Sequence, residues 1–315
     1  MSHAVQVFLT SGEPSGPVDN LTHSLVGALI GQAGLKRRTG LAMPALVVGA
    51  NIPDFDAACF FWLEGTGHLA FRRGITHGPV AWVLLPLILA GLLYAFDCWQ
   101  ARRGRQPEGR LPVRFGWLYG LSLLGTLSHP ALDWLNVYGI RLLEPFSSRW
   151  FYGDTLFIID VWLWALLGFG TWLSLRREKR SGNWRQVARA VLAVGALYVG
   201  AQAAISWFMA STRPAAFASP VPLASWQREV IARENENLWR VNSDLYGRCD
   251  LSEALAAAAR PNADLDAFLF WSRAPFADAA ADGSVILRDA RFTDPRARDR
   301  FSVRLPEVRC APALP

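Results

Sequence analysis

His129 and Asp133 lie four positions apart inside the apolar run Leu127–Tyr138, which reads LSHPALDWLNVY. On a helix, residues at this spacing share one face, with Cβ atoms about 5–6 Å apart. An imidazole and a carboxylate placed in this way can hold one metal ion together. Other polar groups interrupt apolar runs elsewhere in the chain, at Thr22-His23, Asp54-x-Asp56 and Thr76-His77. Apolar surroundings leave polar groups in need of partners, so the sequence raises the question of whether these segments converge.

The composition indicates a membrane protein. Hydrophobic residues make up 52% of the chain and charged residues only 18%, with fourteen Trp, whereas soluble domains are about 25% charged. The net charge of +6 resides in short basic clusters between apolar runs, as is typical of cytoplasmic loops. No stretch interleaves basic and aromatic residues as an RNA-binding face does, so we expect no nucleic-acid partner.

The apolar runs predict an all-α polytopic membrane helical bundle at residues 21–212, followed by a small soluble α+β C-terminal domain at residues 213–315. Residues 1–20 are polar and rich in Gly, Pro and Ser, which predicts a flexible leader. The stretches 21–35 and 41–63 are interrupted or short, which suggests half-spanning or buried helices. Full spans need about 20 residues and are predicted at 77–99, 115–135, 155–175 and 190–210.

Charges become frequent from Pro214 onward, and apolar runs become short. We predict helices at Trp226–Asn237 and Leu251–Ala259, and strands at Ala267–Trp271, Ser284–Asp289 and Phe301–Leu305. Cys249 and Cys310 both fall in this domain. If the domain faces an oxidising compartment, these two residues can form a disulfide.

The positive-inside rule gives a topology without reference to the polar residues of interest. The basic loops at 36–38, 102–114 and 176–189 should be cytoplasmic, so the loops at 65–74 and 136–154 and the C-terminal domain should face outward. The interrupting polar residues then all fall near the outer face: His23, Asp54, Asp56, His77, His129, Asp133, Asp154 and Asp160. Accidental polar residues would be divided between the two faces, so this distribution favours one shared site.

Imidazoles and carboxylates together suit Zn²⁺ first, with Mn²⁺ or Fe²⁺ as alternatives. The candidate metal ligands are His23, Asp54, Asp56, His77, His129 and Asp133. They exceed the needs of one tetrahedral ion, so two or three carboxylate-bridged ions are also considered. Such centres generate hydroxide and stabilise phosphoryl charge, which suits phosphoester cleavage. An anionic substrate could be held by Arg72, Arg73, Arg141 and Arg149, and Asp154 or Asp160 could serve as the acid. A site at the membrane surface favours a lipid-like substrate.

Structural and non-enzymatic interpretations stay open at this point. Histidines in membranes often form hydrogen bonds between helices, and Asp54-x-Asp56 and Asp154 could cap helices or form turns. A metal- or proton-coupled transporter could use the same residues as an ion path, but it should carry polar groups on both halves of its spans. A non-enzymatic membrane anchor would need none of them for activity.

The motifs resemble those of a bacterial family of membrane-bound metal-dependent hydrolases, also described as LexA-binding, inner-membrane-associated hydrolases of YdjM type. The matching segments begin at Leu21, Asn51, Arg72, Leu127 and Phe151, and read LTHSLVGALIG, NIPDFD, RRGITHG, LSHPALDWLNVYG and FYGDTLFIID. The resemblance implies a bacterial inner-membrane location and metal residues at the six positions named above. Many members carry a His beside the Arg of HRGxTH, whereas this chain reads FRRGITH with Phe71 and Arg72. Either one ligand is missing here, or that His lies outside the coordination sphere.

Overall fold

A computed structural model describes residues 20–294 and 298–313. The predicted leader therefore lies almost wholly outside the described residues. The described chain divides into two compact units. The helical unit comprises residues 20–57 and 73–203, and the C-terminal unit comprises residues 58–72 together with those from 204 onward.

The α-helices are α1 Asn20–Gln32, α2 Ala42–Gly49, α3 Gly67–Phe71, α4 Pro79–Arg102, α5 Phe115–Trp134, α6 Val161–Lys179, α7 Trp184–Ala210, α8 Leu251–Ala257 and α9 Ala263–Trp271. Short 3₁₀ helices lie at Leu35–Arg37, Ile52–Phe61, Ile75–His77, Ala290–Phe292 and Arg298–Phe301. In the helical unit, α2 packs against both α1 and α5, while α4 packs against α5 and α6 against α1.

Small residues let α2 and α5 approach closely. A Cβ atom added at Gly125 would lie 2.6 Å from the carbonyl oxygen of Leu46, and one added at Gly49 would lie 2.8 Å from that of Ser122. Close backbone approach through glycine is typical of helix pairs in membranes. It places the end of α2 beside the half of α5 that carries His129 and Asp133.

Among the residues that the structure describes, two helices, α4 and α7, are long and apolar enough to cross a membrane. The 24 residues of α4 correspond to about 36 Å of helix, which exceeds the hydrocarbon thickness. Large apolar side chains on α4 and α7 are exposed, including Leu92 at 64% and Leu197 at 73%. The other predicted spans, and with them the polytopic bundle, stay predictions.

The predicted span at 155–175 begins too early. Asp160 ends the preceding loop because its side chain accepts hydrogen bonds from the backbone N–H groups of Trp162 and Leu163, so α6 starts at Val161. A second contact, from the Tyr198 hydroxyl at 2.8 Å, joins the same carboxylate to α7. Asp160 is therefore a helix cap in this structure.

The C-terminal unit contains both strands and helices, as expected. One antiparallel sheet has the order β1 Phe217–Val221, β2 Ala224–Arg233, β3 Trp239–Val241 and β4 Asp244–Tyr246. The other consists of β5 Pro275–Ala279, β6 Ser284–Asp289 and β7 Ser302–Arg309. Phe217, Ile231, Trp239 and Phe276 belong to the shared hydrophobic core. The disulfide between Cys249 and Cys310 is confirmed.

Two element assignments in this unit were wrong. The predicted helix at Trp226–Asn237 is largely strand β2, which is hydrogen-bonded on both sides by β1 and β3. The predicted strand at Ala267–Trp271 is the end of α9, which begins where the Asn262 side chain accepts a hydrogen bond from Leu265 N–H. The strand at Ser284–Asp289 is confirmed, and β7 and α8 lie where a strand and a helix were predicted.

Candidate metal centre

Four segments of the helical unit carry the six predicted ligands to one place. His23 lies near the start of α1, and His129 and Asp133 lie at the end of α5. The 3₁₀ helix after α2 carries Asp54 and Asp56, and His77 ends the 3₁₀ helix that precedes α4. Every one of the six side chains is buried, with His77 and His129 at 0% exposure and Asp133 at 1%.

Asp54, His77, His129 and Asp133 each offer one ligand atom, and the four atoms lie within 4.8 Å of one another. Nε2 of His77 and Nε2 of His129 lie 3.4 Å and 3.5 Å from Asp133 Oδ2. The same two nitrogens lie 3.9 Å and 3.7 Å from Asp54 Oδ1. Two atoms bound to one tetrahedral zinc at about 2.1 Å would lie about 3.4 Å apart. The observed separations are therefore close to those of a single four-coordinate ion.

The tautomer of His129 follows from its other ring nitrogen. Nδ1 lies 2.7 Å from the carbonyl oxygen of Ala50, which can only accept, so Nδ1 carries the proton. In the neutral ring, Nε2 then presents a lone pair to the carboxylates of Asp54 and Asp133. Lone pairs that face one another in a buried site repel unless a cation lies between them.

His77 is oriented through a hydroxyl relay. The Thr76 hydroxyl donates to Asp56 Oδ2 at 3.0 Å, so its oxygen is left to accept from Nδ1–H of His77 at 2.9 Å. In the neutral ring, Nε2 of His77 then also presents a lone pair to the carboxylates of Asp54 and Asp133. Support of this kind, in which a carboxylate orients a ligating imidazole, is common around protein metal sites.

The donor atoms fit a divalent transition metal. In the described part of the chain, Nε2 of His77, Nε2 of His129 and Oδ2 of Asp133 make no hydrogen bond of acceptable geometry. Buried polar atoms rarely lack partners, because desolvation without compensation is unfavourable by about 1–3 kcal/mol for each group. Two imidazoles and two carboxylates form a donor set used for Zn²⁺, Mn²⁺ and Fe²⁺.

His23 and Asp56 lie at the edge of the group of four. The His23 ring stacks on that of His129 with centroids 3.8 Å apart, and its Nε2 lies 3.4 Å from Asp133 Oδ1. Asp56 Oδ2 accepts both the Thr76 hydroxyl and the backbone N–H of Arg73. These contacts give Asp56 a role in holding the segment that carries Arg73 and His77.

Arg73 is a buried cation beside the centre, with 4% of its surface exposed. Its Nη2 lies 2.9 Å from Asp133 Oδ1, and its Nη1 donates to Asn136 Oδ1 at 2.9 Å. The guanidinium also lies 4.8 Å from the centre of the Tyr138 ring. Arg73 thus holds one oxygen of Asp133 while the other faces the two histidines.

The remaining predicted site residues are not members of the group of four. Arg141 is buried and pairs with Glu144 at 3.0 Å; burial lowers the pKa of Arg141, and the Glu144 charge opposes that shift. Arg149 is exposed and lies over Phe151. Asp154 adopts a left-handed backbone conformation with φ of 48°. Arg72 lies over Phe60 in the C-terminal unit.

No supporting role was predicted from sequence for three groups: the hydroxyl of Thr76, the amide of Asn136 and the carbonyl of Ala50. Thr76 precedes His77 directly, and Asn136 lies three positions after Asp133. Their closeness in sequence to predicted ligands could have indicated a supporting role. The Ala50 carbonyl had no such signal, because it reaches His129 from 79 positions away.

Comparison with known proteins gives one family match. The model of the YdjM inner membrane protein family matches residues 18–209. No curated protein and no solved structure matches the chain. The matched region contains all six predicted metal ligands.

Proposed function

Because the chain belongs to the YdjM inner membrane protein family, we propose that it is a metal-dependent hydrolase embedded in the inner membrane. Its substrate would be a phosphoester, or a related bond, in a lipid-like molecule. The site and the C-terminal domain would face the periplasm, as the positive-inside rule predicts.

One observation carries the proposal. Nε2 of His77 and Nε2 of His129 converge with carboxylate oxygens of Asp54 and Asp133 at ligand–ligand distances, and all four groups are buried. Hydrogen bonds at the far side of each imidazole leave the inward nitrogen free to bind a cation. A purely structural cluster would instead pair these atoms with donors.

Asp54, His77, His129 and Asp133 would hold one divalent ion, with Zn²⁺ as the first choice and Mn²⁺ or Fe²⁺ as alternatives. A bound ion of this type supplies Lewis acidity and a nucleophile at neutral pH. His23 Nε2 lies 3.4 Å from Asp133 Oδ1 and could extend the donor set, so a second or third ion stays a prediction that metal analysis can test.

The other residues would orient ligands and bind charge. Arg73 pairs with Asp133 and orients its carboxylate, and its guanidinium is a type of group that also binds phosphoryl oxygens. The loop that follows α5 supplies Arg141 and Arg149, which we propose contact the anionic part of the substrate. Asp154 is proposed as the proton donor to the leaving group, with Asp160 as the alternative.

The multi-pass arrangement belongs to the same proposal. In it, α4, α5, α6 and α7 cross the bilayer, while α1 and α2 enter it partway. α5 contains the buried polar side chains of His129 and Asp133, which lower its apolar character without placing charge against lipid. Intramembrane ionisable residues of this kind usually mark function.

The proposal is tested with the detergent-purified full chain. Hydrolysis of a panel of phosphomonoesters, phosphodiesters and phospholipids is measured before and after chelation, and again after Zn²⁺, Mn²⁺ or Fe²⁺ is restored. We expect chelation to abolish turnover and one metal to restore it. Asp133→Asn should stay inactive with added metal, whereas the exposed Asp244→Asn should behave as wild type.

Metal-bound protein that turns over no member of the panel, but moves ions across vesicles, would instead favour a transporter. Normal activity in Asp133→Asn would exclude the proposed centre.

A further inference from the structure

The chain segment that connects Asp56 to Arg73 belongs largely to the C-terminal unit. Residues 58–72 group with residues 204 onward, although they lie in sequence between Asp56 and Arg73. These two residues, 17 positions apart, are joined by a 2.8 Å hydrogen bond from Arg73 N–H to Asp56 Oδ2. The segment is therefore a closed loop whose base is part of the metal centre.

The tip of this loop is hydrogen-bonded to the start of α9. The backbone N–H of Thr66 donates to Asp264 Oδ1 at 2.7 Å, and the Thr66 hydroxyl donates to the Asp264 carbonyl oxygen at the same distance. Thr66 is buried, with 8% of its surface exposed. The backbone N–H of Thr66 would therefore be left buried without its acceptor if the Asp264 carboxylate were removed, whereas the hydroxyl would retain the backbone carbonyl.

Two further features indicate a specific contact. Gly65 has φ of 54°, and any side chain there would overlap the carboxylate of Asp264. The short helix α3, which follows Thr66, packs against α9, and its Leu69 is 0% exposed. Backbone conformation, hydrogen bonding and apolar packing all fix the loop tip on α9.

We propose that the C-terminal domain holds this loop in place for the metal centre, and that Asp264 is a positioning residue for the proposed hydrolase. The proposal rests on the metal-dependent function given above. Asp264 itself is 198 positions from Thr66 and has no place among the metal ligands.

The physical reason is the conformational freedom of the loop. A loop that is fixed at both its base and its tip explores few conformations. If the tip is released, the loop gains conformational entropy, and ordering the base then costs more free energy. Asp56 and Arg73 form that base. Asp56 orients His77 through Thr76, and Arg73 holds Asp133, so disorder at the base reaches two of the four proposed ligands.

The experiment uses the full chain with a matched pair of substitutions on α9. Asp264→Ala removes the side-chain acceptor for Thr66 N–H, while Asp264→Asn retains an oxygen in its place. Asp266→Ala is the control, because Asp266 lies on the same helix and is exposed, and its carboxylate pairs with Arg260 instead. Hydrogen exchange of peptides covering 54–77 is measured in metal-free protein, and zinc affinity is measured by competition with a chelating dye.

We expect Asp264→Ala to speed exchange at the loop base and to weaken zinc binding by about tenfold, as is typical when support of a ligand is lost. Asp264→Asn and Asp266→Ala should match wild type in both measurements. Unchanged exchange at the base and unchanged zinc affinity in Asp264→Ala would overturn the proposal. If the wild-type protein bound no metal, the proposed metal-dependent function would be wrong. Hydrogen exchange of residues 73–77 in wild type and in Asp264→Ala would then show by itself whether Asp264 orders this segment.

Discussion

Nδ1 of His129 lies 2.7 Å from the carbonyl oxygen of Ala50, and this contact aims the lone pair of Nε2 at Asp54 and Asp133. The contact joins the end of α2 to the end of α5. It depends on the glycine-mediated approach of those two helices, so helix packing selects the tautomer of a proposed ligand. The proposed metal centre thus depends on helix packing as well as on residue type.

Thr76 should be needed for the orientation of His77. Thr76→Val removes the hydroxyl that accepts from His77 Nδ1 and donates to Asp56, while the side-chain shape is kept. We expect metal affinity to fall about 10–100-fold, the usual effect of losing such support. Thr76→Ser retains the hydroxyl and should bind metal as wild type does. Equal affinities for the Val and Ser variants would show that the relay is not used.

Arg73 should stabilise the metal-free protein. Arg73→Met leaves Asp133 Oδ1 buried without its cation, and breaking a buried pair in this way destabilises proteins by about 3–5 kcal/mol. Arg73→Lys retains the positive charge, but the lysine ammonium lacks the planar guanidinium that contacts both Asp133 and Asn136. We therefore expect the unfolding midpoint in chelator to rise in the order Met, Lys, Arg. A midpoint for the Met variant equal to that of wild type would mean that the pair adds no stability.

The disulfide should form in cells and stabilise the C-terminal domain. Its cysteines are 61 positions apart, and a cross-link of that length typically contributes about 2–4 kcal/mol. Alkylation of unreduced, denatured protein should modify two thiols, Cys59 and Cys98, and reduction should add two more. Four reactive thiols without reductant would argue against a periplasmic location for this domain. Cys98→Ser should leave the unfolding midpoint unchanged, whereas Cys310→Ser should lower it.

The C-terminal domain should lose stability as the pH rises through neutrality. Burial, and then the charge of Asp294, raise the pKa of Glu229 from 4.5 to about 7, while a hydrogen bond to Thr293 opposes the shift. The folded form therefore holds a proton that the unfolded form releases above pH 4.5. The stabilisation is complete below that pH and is lost as the pH rises through about 7.

We expect a difference of about 3 kcal/mol in unfolding free energy between acidic and mildly alkaline solution. Glu229→Gln should abolish this dependence, whereas the exposed Glu236→Gln should retain it. Denaturant titration of the domain signal at several pH values measures both. A wild-type stability that is flat, or that rises with pH over this range, would contradict the assigned cause.

Residue type and topology were enough to predict that His23, Asp54, Asp56, His77, His129 and Asp133 lie together. The charged loops predicted a direction for each predicted span, and that direction placed each polar group near the predicted outer end. Sequence could not separate the inner four from His23 and Asp56, because that distinction depends on ångström-scale distances. The Thr66–Asp264 contact could not be predicted either, because it joins residues that are 198 positions apart in sequence.

The errors in secondary structure have local causes. The residues Trp226–Asn237 mix apolar and charged side chains in a spacing that also fits a helix. The segment is largely a strand because its backbone pairs with β1 and β3. Short apolar runs such as Ala267–Trp271 fit either element. The Asn262 cap upstream of that run was the signal that could have corrected the assignment.

Metal content of the purified protein tests the central claim most directly. Wild-type protein, Asp133→Asn and Asp244→Asn are purified in parallel in detergent, and bound transition metals are quantified by elemental analysis against protein concentration. We expect at least one equivalent of metal, zinc first, in wild type and in Asp244→Asn, and a loss of most of it in Asp133→Asn. Wild-type protein without bound metal that also fails to take up Zn²⁺, Mn²⁺ or Fe²⁺, or an equal metal content in Asp133→Asn, would contradict the assignment of this cluster as a metal centre.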